Sequence, residues 1–209
     1  MKFTTFSSLN CAGCQSQCRD VEGNSVRDMN CSRTKTAIWP EDNQFFKMAL
    51  NDILGNSISV DSHYGIIFVD FSIDNLLYFI HDEWIEFLSE HNMRIILLAD
   101  KEMLPLAKYW ANREWRIVSV LDVTEGTDKM ARGIRKVMQL KFVPLPKSQM
   151  VSEREVKVLR YLSQGKSVAD MARTLECSNK SIYSSQYSLC KKFGGLARLG
   201  DLRFKHQVN

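Results

Sequence analysis

No stretch of the 209-residue chain approaches the roughly 20 consecutive apolar residues that a membrane-spanning helix requires. The strongest apolar runs, 66–69 and 95–99, reach only a fraction of that length. The N-terminus carries a single lysine and no sustained apolar stretch behind it, so no cleaved secretory signal is expected. The chain is therefore expected in the cytoplasm, with no membrane partner. Histidine is scarce: four residues lie scattered at 63, 81, 91 and 206, a spacing that pairs none of them as metal ligands. There is no Gly-x-Ser-x-Gly turn and no phosphate-cradling Walker loop. With no nucleophile, base and oxyanion donors in a recognisable pattern, neither catalysis nor a cofactor is expected.

Cysteine is unevenly spread. Of six, four fall at Cys11, Cys14, Cys18 and Cys31, and the other two stand alone at Cys177 and Cys190. Thiolates two and three residues apart can converge on one zinc ion or an iron–sulfur cluster. The Gly, Ser, Asn, Gln and Asp around them read equally as a flexible tail that happens to carry thiols. In a cytoplasmic chain these thiols are reduced, and no bound metal is expected. Met29 is an alternative start.

Charge divides the chain. The net value is +4, but residues 148–209 hold 11 Lys+Arg against 5 Asp+Glu, a net of +6, which leaves 17 against 19, or −2, for the rest. A basic module joined to a slightly acidic one points to a polyanion partner at one end, although a solvated charged face has the same composition.

Hydrophobic periodicity supplies the organisation. Residues 1–36 lack it and read as a flexible tail carrying the cysteines. A short strand at 36–39 is halted by Pro40. A helix follows over 44–54, capped by Asp42 or Asn43, with Phe46, Leu50 and Ile53 on one face. Further strands are expected at 58–60, 65–69, 94–99 and 115–121, and further helices at 75–90, 103–111 and 127–139. The alternation predicts an α/β domain over 37–140, a doubly wound parallel sheet with helices on both faces. Two prolines within 143–147 break any helix, so 141–148 is expected to be an extended linker.

Beyond the linker, 149–209 reads as an all-α domain of four helices. Ser152 and Glu155 form a capping box ahead of Val156, Leu159 and Leu162, and Gly165 ends that helix. A second helix opens at Ser167 with Met171, Ala172 and Leu175 apolar, and Cys177-Ser178 turns into a third; a fourth is expected near 198–206. The third helix holds few apolar residues. Ile182, Leu189 and Phe193 fall on one side, while Lys180, Tyr183, Ser184, Tyr187 and Lys191 fall on the other at steps of three and four. A helix propped by its neighbours and presenting hydroxyls and lysines suits the major groove, where the former meet base edges and the latter meet phosphates.

The run from Val151 to Ala172, with Leu175, Ser178, Ser181-Ile182 and Lys192-Phe193-Gly194, resembles the LuxR/FixJ-type helix-turn-helix in register and spacing. That resemblance implies a four-helix domain that binds double-stranded DNA. It implies base contacts from Tyr183, Ser184 and Tyr187, with phosphate contacts from Lys180, Ser181, Gln186 and Lys191. Tyr183 stands where the family usually has lysine and Ser185 where histidine is common, so an operator does not transfer with the likeness.

Such modules commonly follow a phosphoreceiver, and residues 37–140 resemble one in a degenerate form. Glu41, Asp42 and Asp70 occupy the acidic positions, with Asp70 in the phosphoacceptor's place. Leu98 or Ala99 stands where a hydroxyl is needed, and the 120–122 strand end has no lysine. Phosphorylation-independent action is therefore expected. The layout, with Ile38-Trp39 before a Phe-rich helix and Ala107-Lys-Tyr-Trp110 before the last strand, is similar to enterobacterial regulators of fimbriae and of capsule or mucoidy. This implies a transcriptional regulator of surface-structure genes, acting as a homodimer or as a heterodimer with a related protein. RNA polymerase is a further expected partner. Leu199, Leu202 and Val208 supply either a dimer contact or the small domain's own core. The alternative is a protein-interaction module that modulates another regulator or the polymerase without reading DNA, which salt dependence separates.

Overall fold

In the computed structural model, which describes residues 10–11, 36–40, 42–55, 65–139, 141 and 143–195, the order of elements follows the hydrophobic pattern. Strands β1 (Asn10–Cys11), β2 (Thr36–Trp39), β3 (Ile66–Phe71), β4 (Arg94–Ala99) and β5 (Ile117–Asp122) form one sheet in that spatial order. β2 to β5 are parallel, and β1 is added antiparallel at the edge of β2. β1 lies within the segment whose sequence reads as a tail. The expected strand at 58–60 and the helix at 198–206 lie outside the described residues, as do Glu41, His63, His206, Leu199, Leu202 and Val208 and the side chains of Cys11, Cys14, Cys18 and Cys31.

Successive strand residues point to opposite faces, and both faces are covered. Helix α1 (Gln44–Gly55) and helix α5 (Thr127–Met138) lie on one, where Leu50, Ile134 and Val137 pack against Ile38, Phe68, Ile96 and Leu121. Asn43 caps α1, its Oδ1 accepting from the Phe46 amide at 3.0 Å. The other face carries α2 (Leu76–Phe79), α3 (Glu83–Ser89) and α4 (Leu104–Arg113). Its centre is aromatic. Phe71 stacks on Phe79 at 3.9 Å between centroids, and Trp84 meets Phe79 at 5.2 Å and Trp110 at 5.3 Å. Every residue of β3 is buried, and its first four, 66–69, read as an unbroken apolar run before Asp70.

The expected helix over 75–90 is two helices. Its chain breaks at Ile80–Asp82, and the carbonyls freed there find side-chain donors. Trp110 Nε1 donates to the Phe79 carbonyl at 2.8 Å, and Arg160 Nε donates to that of Ile80. The Asp82 carbonyl starts α3 by accepting from the Ile85 and Glu86 amides, each at 3.1 Å. A stripe of buried residues at 76, 79, 80, 84 and 88 survives the break, which is why periodicity alone reads as one helix.

Residues 143–152 have no regular structure. After them come α6 (Glu153–Ser163), α7 (Val168–Thr174) and α8 (Asn179–Lys192). This helical unit is docked on the sheet domain. Arg160 Nη2 pairs with Asp82 Oδ2 at 2.8 Å, Tyr109 OH donates to Glu153 Oε2 at 2.5 Å, and the Val151 amide donates to the Pro105 carbonyl at 3.2 Å. Among the described residues no helix is long and apolar enough to cross a membrane.

Candidate nucleic-acid interface

The three C-terminal helices are started by hydroxyls. Ser152 Oγ accepts from the Glu155 amide at 3.3 Å while Glu155 Oε2 accepts from the Ser152 amide at 2.6 Å, completing the capping box. Ser167 caps α7 through the Asp170 amide at 3.1 Å, and Ser178 caps α8 through the Ser181 amide at 3.2 Å. Gly165, at φ +71°, ends α6 in the left-handed region that favours glycine.

The buried side of α8 is the predicted one: Ile182 and Leu189 are fully buried and Phe193 is 1% exposed. They pack with Val156, Leu159, Leu162, Met171 and Ala172. Cys190 is also buried, and burial pushes its thiol up. A second tie holds the helix. Lys192 Nζ reaches both Glu155 oxygens, at 2.8 and 2.9 Å, and the Met150 carbonyl at 2.9 Å. Burial would raise the Glu155 carboxyl, but hydrogen bonds from Lys192, Ser188 and the Ser152 amide hold it below the ordinary carboxylate value. The glutamate of a local capping box thus also fixes the far end of α8, 37 residues away.

Lys180, Tyr183, Ser184, Tyr187 and Lys191 all lie on the exposed side of α8. Tyr183 is 60% and Tyr187 72% exposed, an unusual state for large rings. The N-terminal domain does not cover this row. Ser181 and Gln186, expected alongside it, are half-buried. The Ser181 hydroxyl lies 3.0 Å from that of the Ser178 cap, and Gln186 Nε2 is buried without a protein partner. These two flank the outward row instead of standing in it.

Asp70 stands at the end of β3, 4% exposed. Asn43 Nδ2 donates to its Oδ2 at 2.8 Å, and Asn75 Nδ2 to its carbonyl at 3.1 Å. Burial raises its carboxyl above the usual range despite these bonds. Leu98 and Ala99 are buried, and Asp122, at the end of β5, accepts from the Thr124 amide at 2.8 Å. A residue that pattern reading missed is Asp100, just past β4. Its carboxylate accepts from the Ile73 amide at 2.8 Å and the Met103 amide at 3.0 Å, joining the loops after β3 and β4. Only its position at a strand end hinted at this.

A parallel-sheet domain is followed by three helices whose last turns a polar face outward, the arrangement of a DNA-binding transcription regulator. Residues 149–197 match the bacterial regulatory proteins of the luxR family, and residues 10–138 match the EcpR N-terminal domain. The chain belongs to the EcpR N-terminal domain family. It is 26% identical over 190 residues to "Uncharacterized protein YqeH" of Escherichia coli K12, covering 91% of this chain and 90% of that protein. Among solved structures it is similar to RcsB in a structure of two RcsB dimers bound to two parallel DNAs. That likeness has 18% identity and a TM-score of 0.40, over 78% of this chain and 82% of that one. It is also similar to full-length FixJ from B. japonicum, with 16% identity and a TM-score of 0.32, over 82% and 96% of the two chains.

Proposed function

We propose that the chain reads a specific DNA sequence through α8 and does so without being phosphorylated. The observation that carries this is the two-sided helix: three buried anchors on one side, and five exposed polar or phenolic side chains in register on the other. Tyr183, Ser184 and Tyr187 offer hydroxyls to base edges in the major groove, and Lys180 and Lys191 neutralise phosphates at the two ends of the row. Ser181 supports the helix N-terminus, and Gln186 has an unengaged amide beside the row. A module of this size contacts few base pairs, so operator affinity calls for two copies on paired half-sites. The active species is thus a homodimer, or a heterodimer with a related regulator. The domains proposed are 37–140 for the sheet unit, 141–148 for the linker and 149–209 for the DNA-binding unit.

Phosphorylation independence is supported by the state of Asp70. It is buried, engaged by Asn43, and faces strand ends that supply neither the hydroxyl nor the lysine of a working receiver. Likeness to regulators of fimbriae and capsule supports targets among surface-structure genes. Two measurements test this reading. Selection of the full chain against a random duplex pool should enrich one motif with two half-sites; binding without enrichment, or no binding, contradicts sequence-specific recognition. Incubation with a small phosphodonor and Mg²⁺ should leave the mass unchanged; a stable gain lost in Asp70→Asn contradicts phosphorylation independence.

A further inference from the structure

At the C-terminal end of α8 the two domains leave an open-sided cleft of about 530 Å³. The turn after β4 contributes Lys101 and Glu102, the linker Lys147, and α8 Lys191 and Lys192. The walls are close there. A Cβ on Gly194, which has φ +76°, would lie 3.2 Å from Glu102 Cγ. Lys192 is engaged by Glu155 at 2.8 Å. The side chains of Lys101, Lys147 and Lys191 are exposed and make no hydrogen bond or ion pair among the described residues. Two carboxylates share the lining, Glu102 and Asp122, and Asp122 is occupied by the Thr124 amide at 2.8 Å and the Thr124 hydroxyl at 2.5 Å. With Lys192 paired to Glu155, the three remaining ammonium groups outnumber these two carboxylates, so the lining carries net positive charge.

This cleft is continuous with the proposed recognition row, because Lys191 is both its last member and part of the lining. Tyr183, Tyr187 and Lys191 follow one another at steps of four, so they stack on one face of α8 and end at the cleft mouth. A duplex seated on that face carries a sugar–phosphate strand past each end of the helix. At the Lys191 end it meets a groove open along one side, a shape that admits a continuing polymer. We propose that the interdomain cleft is a second seat for DNA backbone phosphate, in which Lys101 and Lys147 continue the contact that Lys191 begins. The sheet domain then grips DNA directly, and the linker is part of the binding surface. This rests on the reading of α8 as DNA-facing.

Each phosphate contact releases condensed counterions, so the number of contacts appears in the slope of log affinity against log salt. For the full chain on a mixed-sequence duplex, Lys101→Ala and Lys147→Ala should each reduce that slope by about 1. Each should lower affinity for the selected site and for mixed-sequence DNA by the same factor. Lys101→Arg should restore the slope. Lys47→Ala, on α1 at the other side of the sheet, should leave it unchanged. An unchanged slope in both cleft variants, with Lys191→Ala still reducing it, overturns the cleft proposal while leaving the α8 reading intact. Absence of any salt-dependent DNA binding overturns both. All three lysines are exposed, so the variants should keep the wild-type thermal midpoint.

Discussion

At the scale of single residues, two buried carboxylates work in opposite directions. Asp70 is raised by burial, so its folded value lies above its unfolded one. Stability from this group is complete below the unfolded value and declines as pH rises through the folded one. Asp70→Asn keeps an acceptor for Asn43 and removes the ionisation. Its thermal midpoint should exceed wild type at neutral pH, with the difference closing in acid; a lower midpoint at neutral pH would show that the charge is needed. Glu155 is depressed, burial notwithstanding, by its bonds to Lys192, Ser188 and Ser152. Its contribution is complete above the unfolded carboxylate value and is lost as pH falls through the folded one. Lys192→Ala strands a carboxylate whose side chain is 6% exposed and should cost about 3 kcal/mol in urea unfolding at neutral pH. A loss below about 0.5 kcal/mol would mean that water replaces the ammonium freely.

At the scale of elements, the three C-terminal helices were the most legible. Their caps are local, Ser152 to Glu155, Ser167 to Asp170 and Ser178 to Ser181, and local hydrogen bonds leave a pattern in the sequence. The two faces of α8 were readable for the same reason, since spacing alone divides Ile182, Leu189 and Phe193 from Tyr183 and Tyr187. The break in 75–90 was not. It depends on Trp110 and Arg160, which come 31 and 80 residues after the carbonyls they satisfy, and no periodicity encodes such partners. Trp110→Phe keeps the ring near Trp84 but leaves the buried Phe79 carbonyl without this donor. It should destabilise by about 1–3 kcal/mol. A neutral outcome would mean that the break is held by packing alone.

At the scale of the whole molecule, the sequence showed two units and a linker but no sign of how they meet. The docking rests on groups that each look like ordinary surface charge: Arg160 on Asp82 at 2.8 Å and Arg113 on Glu153 at 3.6 Å. Half-exposed pairs of this kind contribute little singly. Arg160 adds the Ile80 carbonyl and is the less exposed of the two cations, at 21% against 47% for Arg113. Arg160→Ala should therefore loosen the docking and speed proteolytic cleavage within 141–148, with the helical content retained; an unchanged rate would place the docking energy in the apolar contacts. The most direct test of DNA reading by α8 compares full-length wild type, Tyr187→Ala and Lys191→Ala on the selected duplex and on mixed-sequence DNA. Tyr187→Ala should lose about tenfold or more on the selected site and little on mixed sequence, while Lys191→Ala should weaken both alike. Equal losses for Tyr187→Ala on the two duplexes would contradict the placement of α8 in the groove.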